Sequence, residues 1–128
     1  MPISRDLVSR SSLAFSLAPA TISSSTTTSG SGVDISGAAA VILHFSIGTR
    51  TDGTYTPNVQ VSDDNSAWTS AEAYELIGTE TAITATAGIT SVGIKGNVLK
   101  KYVRGQIVST SVTSGSTACS ILVQKFTS

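Results

Sequence analysis

The side chains best suited to chemistry are few and scattered. His44 is the single histidine and Cys119 the single cysteine. Both fall inside runs of alternating apolar residues, which places each on a strand. A nucleophilic triad or a metal site needs such a histidine to converge with a nucleophile or with further ligands. Nothing near either residue in the sequence supplies them, and nothing near Cys119 would lower its pKa. A surface or interface imidazole and a packed thiol are the expected roles. Asp63, Asp64 and Asn65, with Asp52 before them, form the one acidic cluster. Oxygen ligands at this spacing could hold Ca²⁺, but the run lacks the alternating register of a calcium loop, and an ordinary hairpin turn is the better reading. Glu72, Glu75 and Glu80 share an irregular stretch that assigns no paired general acid and base. Neither glycine-rich phosphate motif occurs. The expectation is therefore no catalytic residue, no cofactor, no metal and no enzyme activity.

Lys95, Lys100, Lys101 and Arg104, with Tyr102 interleaved, are the one basic concentration. Four charges are too few for useful non-specific affinity for nucleic acid at physiological salt. A strand edge guarded against aggregation, or a contact to an acidic partner, is the better reading. Arg5 and Arg10 stand in a segment poor in apolar residues, so residues 1–10 read as an arm that orders on contact with a partner. Leu13 to Ala18 is too short and interrupted for a leader peptide, and no stretch approaches the ~20 apolar residues of a membrane helix.

The elements that must position these residues are strands. Leu13, Phe15 and Leu17 alternate with smaller residues. So do Val41, Leu43, Phe45 and Ile47; Tyr55, Pro57, Val59 and Val61; Val103, Gly105 and Ile107; and Cys119, Ile121 and Val123. Each set predicts a strand with that face toward a core. Shorter candidates are 33–36, 75–77, 82–85 and 89–94. Turn signals separate them, at Asp52-Gly53, Asp63 to Ser66, Gly96-Asn97 and Ser114 to Ser116. One helical turn fits within 68–76, and no window sustains a 3.6-residue period. The composition agrees, with 40 Ser and Thr among 128 residues and a mean hydropathy of +0.22. The predicted fold is all-β: a single antiparallel β-sandwich, jelly-roll or immunoglobulin-like, of about eight strands over 11–128 with no substantial helix. Charged residues are only 12% and the net charge is zero. Such a surface promotes association, which points to a permanent partner.

Two stretches carry a resemblance. One runs from Gly37-Ala-Ala-Ala-Val-Ile-Leu-His-Phe-Ser-Ile-Gly48 through Asp52-Gly53-Thr54-Tyr55 to Val59-Gln-Val-Ser-Asp-Asp64 and Trp68. The other is Val92-Gly-Ile-Lys95 followed by Lys100-Lys-Tyr-Val-Arg-Gly-Gln-Ile-Val108. Their order resembles small structural proteins of tailed bacteriophages, of the capsid-decorating or cementing type, over roughly residues 33–126. The resemblance implies a virion protein on the outer surface of the capsid, made in the bacterial cytoplasm. It would bridge neighbouring copies of the major capsid protein, as a homo-oligomer or symmetric array, without nucleic acid or membrane. It carries over no catalytic residues. Arg5, Arg10, Lys100, Lys101 and Arg104 are then the candidate capsid contacts. The alternative is a host- or glycan-binding module of a tail or fibre, in which Trp68, Tyr74 and Tyr55 would stack on sugar rings, or a head–tail connector component.

Overall fold

The structure, a computed structural model, describes residues 11–48, 52–83, 88–94, 100–112 and 117–126. The expected arm with Arg5 and Arg10, Lys95, the turns at Gly96-Asn97 and Ser114 to Ser116, and the second half of the 82–85 candidate lie outside the described residues.

Among the described residues the alternating segments form ten strands: β1 (Ser11–Ile22), β2 (Thr27–Ser29), β3 (Val33–Asp34), β4 (Ala40–Ile47), β5 (Thr54–Ser62), β6 (Thr69–Ser70), β7 (Leu76–Ile77), β8 (Gly88–Ile94), β9 (Tyr102–Thr110) and β10 (Thr117–Phe126). The single helical turn expected within 68–76 is a 3₁₀ turn at Ala73–Glu75. Gly53, half of the predicted Asp-Gly turn, has φ of +89°, and a side chain there would also strike Val112. Only glycine suits that corner.

The strands build two antiparallel sheets, ordered β1-β10-β4-β8-β7 and β2-β9-β5-β6, with β3 continuing the β2 edge along β9. β1 pairs with β10, β2 and β3 with β9, β4 with β8, and β5 with β6. The chain is thus one long antiparallel hairpin. Rolling it up adds the pairs β10 with β4 and β9 with β5. That winding is a jelly roll, which decides between the two predicted topologies.

The core lies between the sheets and is filled by the alternation already visible in the sequence. Val41, Leu43, Phe45 and Ile47 of β4 face Val59, Val61, Val103 and Ile107 of the other sheet, with Cys119, Ile121 and Val123 beside them, all buried. Each such side chain contributes about 1.5–3 kcal/mol through burial. Tyr55 is fully buried as well, and its hydroxyl donates to Thr117 Oγ1 at 3.0 Å.

One predicted strand is phased differently from its expectation. Leu13 and Phe15, assigned to the core face with Leu17, are 61% and 51% exposed. The register of β1 against β10 shifts between Phe15 and Leu17, and again between Leu17 and Ala20. An extra residue in one strand moves every later side chain to the opposite face. Ser16 occupies the first shift and is buried, while Leu17 turns inward against the core. Alternation alone cannot reveal a bulge, because the sequence repeats smoothly through it. Within the described part of the 82–85 candidate, Ile83 forms an antiparallel bridge with Tyr55.

Candidate functional site

Among the described residues, the outer faces of the two sheets carry the distinctive groups. The face of the β2-β9-β5-β6 sheet is polar. Asn58 Nδ2 donates to Gln106 Oε1 at 2.9 Å and to Ser70 Oγ at 3.2 Å, and Gln106 Nε2 donates to Ser29 Oγ at 2.8 Å. Cross-strand amides of this kind tie four strands together through their side chains. Next to them, Arg104 Nε donates to Gln60 Oε1 at 2.7 Å, and its guanidinium lies 4.6 Å from the Trp68 ring centre. That stacking fixes both groups.

The structure therefore separates the members of the basic group. Arg104 is half-buried and held on two sides. Lys100 and Lys101 are exposed at the start of β9; Lys100 pairs with Asp63 at 3.4 Å, and the Lys101 ammonium sits 5.5 Å from the Tyr102 ring centre. An exposed ion pair of that kind holds its partners weakly, so both lysines can be recruited to another surface. Arg5 and Arg10 fall outside the described residues.

The acidic residues have structural partners. Asp64 Oδ1 accepts from the backbone N–H groups of Ser66 and Ala67 and from the Ser62 hydroxyl, and these bonds hold its carboxyl below the usual range. It caps the turn in which Asn65 adopts a left-handed φ of 59°. Among the described residues no three His, Cys, Asp or Glu side chains are grouped to hold a metal ion. Glu75 accepts the Glu72 N–H, and Glu80 accepts the Val59 N–H at 2.6 Å. Burial raises the Glu80 pKa, against the opposing effect of that bond.

Of the aromatics considered for sugar stacking, Tyr55 is a core residue and is removed from that set. Trp68 has one ring face under Arg104, and Tyr74 is 72% exposed. Cys119 is buried, and desolvation pushes its thiol up to about 11. At pH 8 about one such thiol in a thousand is ionised. The folded protein is expected to react with a disulfide reagent at least a hundredfold more slowly than the protein in denaturant; equal rates would show Cys119 to be accessible.

The face of the β1-β10-β4-β8-β7 sheet is the more apolar of the two, with Ser46, Ser91, Ser120, His44 and Gln124 set among its apolar residues. Its outward residues include Leu13, Phe15, Ile42, Ile77, Ile89 and Leu122. His44 lies at its centre, with Nδ1 2.8 Å from Ser91 Oγ and Nε2 3.1 Å from Gln124 Oε1. The imidazole is thus satisfied by its own sheet. Sequence reasoning placed His44 on this face correctly but missed the face as a whole, because its apolar residues come from five strands.

Several solved structures share this arrangement. The PBSX exported protein XepA aligns at a TM-score of 0.55 and 18% identity, over 91% of this chain and 37% of that one. A chain of infectious bursal disease virus, Gx strain, aligns at 0.57 and 11% identity, over 92% and 33%. The fold is one found in a PBSX exported protein and in a viral chain. The SPBc2 prophage-derived protein YomS aligns at 0.49 and 17% identity, over 88% of this chain and 92% of its own. This chain spans about a third of the length of the first two. At these identities the likeness establishes the fold. No family model matches the sequence, and no curated protein sequence matches it.

Proposed function

We propose that this chain is a structural protein of a bacteriophage virion that decorates the head, bridging copies of the major capsid protein and stabilising the shell. The observation that carries this reading is the segregation of chemistry onto two broad outer faces, one apolar and uncharged, the other polar and bordered by Lys100 and Lys101. A domain with two unlike faces can hold the shell with one and leave the other for a further neighbour, as a protein that knits a lattice together must do. The jelly-roll winding and the fold neighbours, a PBSX exported protein and a viral chain, support the same reading, although a fold alone does not assign a role. Low charge and abundant Ser and Thr suit adhesion through hydrogen bonds and modest apolar patches. Within the basic group Lys100 and Lys101 face the capsid, while Arg104 holds Trp68 in place behind them. Arg5 and Arg10 extend the contact from the arm.

Purified heads test this. The chain is expected in copy number comparable to the capsid subunit, and heads lacking it should rupture at lower temperature; a handful of copies per particle rejects the role. Reversing charge with Lys100→Glu and Lys101→Glu should lower occupancy severalfold near 0.1 M salt. The difference should shrink toward 1 M, where the screening length falls from about 10 Å to about 3 Å. Unchanged occupancy would reject the assignment of these two lysines.

A further inference from the structure

We infer that the apolar outer face of the five-stranded sheet is a self-association surface, on which a second copy of this chain packs about a two-fold axis. The inference stands independently of the head-decoration reading. It begins from the cross-strand rows. Leu13, Gln124, Ile42, Gly93 and Ile77 form one row across all five strands, and Phe15, Leu122, His44 and Ser91 form the next. At one end of the first row Leu13 and Phe15 stand up as a ridge, 61% and 51% exposed. At the other end Gly93 has no side chain, and Ile42 and Ile77 flank a hollow of about 290 Å³ above it. Ridge and hollow lie three strands apart, roughly 14 Å at about 4.8 Å per strand.

That spacing makes the face complementary to itself. A two-fold axis lying between the copies, parallel to the strands and over the boundary of β10 and β4, carries β1 of one copy over β8 of the other. Rows stay in register, so Leu13 of each copy drops into the hollow over Gly93 of its mate. Every contact occurs twice, as a two-fold interface requires. Charge allows the approach: none of the residues in these two rows is Asp, Glu, Lys or Arg, and the whole chain has zero net charge. The imidazole of His44 and the Gln124 amide already bond within their own sheet.

Area sets the strength. The four strands that overlap, at about 4.8 Å each, and some seven residues at about 3.3 Å give a face on the order of 450 Å². Two such faces bury about 900 Å², the size of a weak, transient interface. The dimer is accordingly concentration-dependent. Edge-to-edge pairing through β1 is the poorer arrangement, because the two register shifts and Pro19 break the edge beyond Phe15.

Sedimentation of the full chain from about 5 µM to about 1 mM is the test, with dissociation expected on the order of 100 µM. Leu13→Asp and Gly93→Val should each weaken association at least tenfold while keeping the monomer folded. Leu13 is exposed, and a side chain at Gly93 meets its nearest neighbour, Ile77 Cβ, at an ordinary 3.4 Å. A Leu13→Cys, Gly93→Cys double variant should form intermolecular disulfides on oxidation. Within one copy the two positions are about 14 Å apart, beyond the roughly 7 Å limit for a bridge. A monomer at every concentration would overturn the inference. So would a dimer indifferent to Leu13→Asp, or one cross-linked by Leu13→Cys alone, which marks edge pairing.

Discussion

Gly105→Val is expected to be the most damaging single substitution in the described core. Gly105 sits midway along β9, between the inward-facing Val103 and Ile107, where alternation calls for a large apolar side chain. The opposite sheet occupies that space already. A Cβ at position 105 would lie 2.7 Å from Ile121 Cγ2 and 2.8 Å from Phe45 Cε2, closer than such atoms approach. Both neighbours are fully buried and have nowhere to retreat. Overpacking a tight core costs about 1–3 kcal/mol and occasionally more; two clashes with fully buried side chains plus the γ-methyls of valine put this variant at or beyond about 3 kcal/mol. Against a total of about 5–15 kcal/mol, the melting temperature should fall by ~10 °C or more, if the variant folds at all. Gly105→Ala should cost less, and pairing it with Phe45→Leu should recover part of the loss, a coupling that a double-mutant cycle measures. Additivity of the two changes would show that Phe45 is not the obstacle.

Gly105 also shows how much of this molecule its sequence discloses. The period-two runs of β4, β5, β9 and β10 set strand position, inward face and core membership correctly, because each strand has one buried side and repeats regularly. Strand order was not readable from them. The jelly roll arises from pairings between the first and last strands and between residues such as Ile35 and Lys101, whose partners are remote in sequence. Position 105 reads as a weak point in a strand until the facing Phe45 is known. Likewise Tyr55 reads both as a core residue and as an aromatic for a sugar ring until Thr117, 62 residues on, is found holding its hydroxyl in the core. The candidate contacts divide in the same way. Lys100, Lys101 and Arg104 form a visible cluster in sequence, yet the engagement of Arg104 by Trp68 and Gln60 depends on the packing of a turn against β9. The apolar outer face was hidden most completely, since a bulge decides that Leu13 and Phe15 point away from the core.

The second large effect is expected at that bulge, from Ser16→Ala. The β2–β3 edge pairs with β9 at residues 106–108 and again at 102–103, and the break between these segments leaves Gly105 without a ladder partner for its N–H. Ser16, turned inward by the register shift, supplies one. Its Oγ accepts the Gly105 N–H at 3.1 Å and donates to the Ser31 carbonyl at 2.9 Å. The Ser16 carbonyl in turn accepts the Ser31 N–H at 2.6 Å, while Gly30 N–H donates to the Gly105 carbonyl at 2.8 Å. One hydroxyl thus closes the gap in one sheet from a strand of the other. Alanine removes both side-chain bonds and strands a buried N–H, a loss of about 1–3 kcal/mol. The same approach requires glycine at position 30, because a Cβ there would strike the Ser16 hydroxyl and carbonyl. Hydrogen exchange separates this local bolt from general loosening. The Gly105 amide should lose protection by more than the drop in global stability explains, while Ser120→Ala, on the outer face, should leave both unchanged. If Gly105 remains as protected in Ser16→Ala as in the parent, the bond is not what holds the two sheets together at that point.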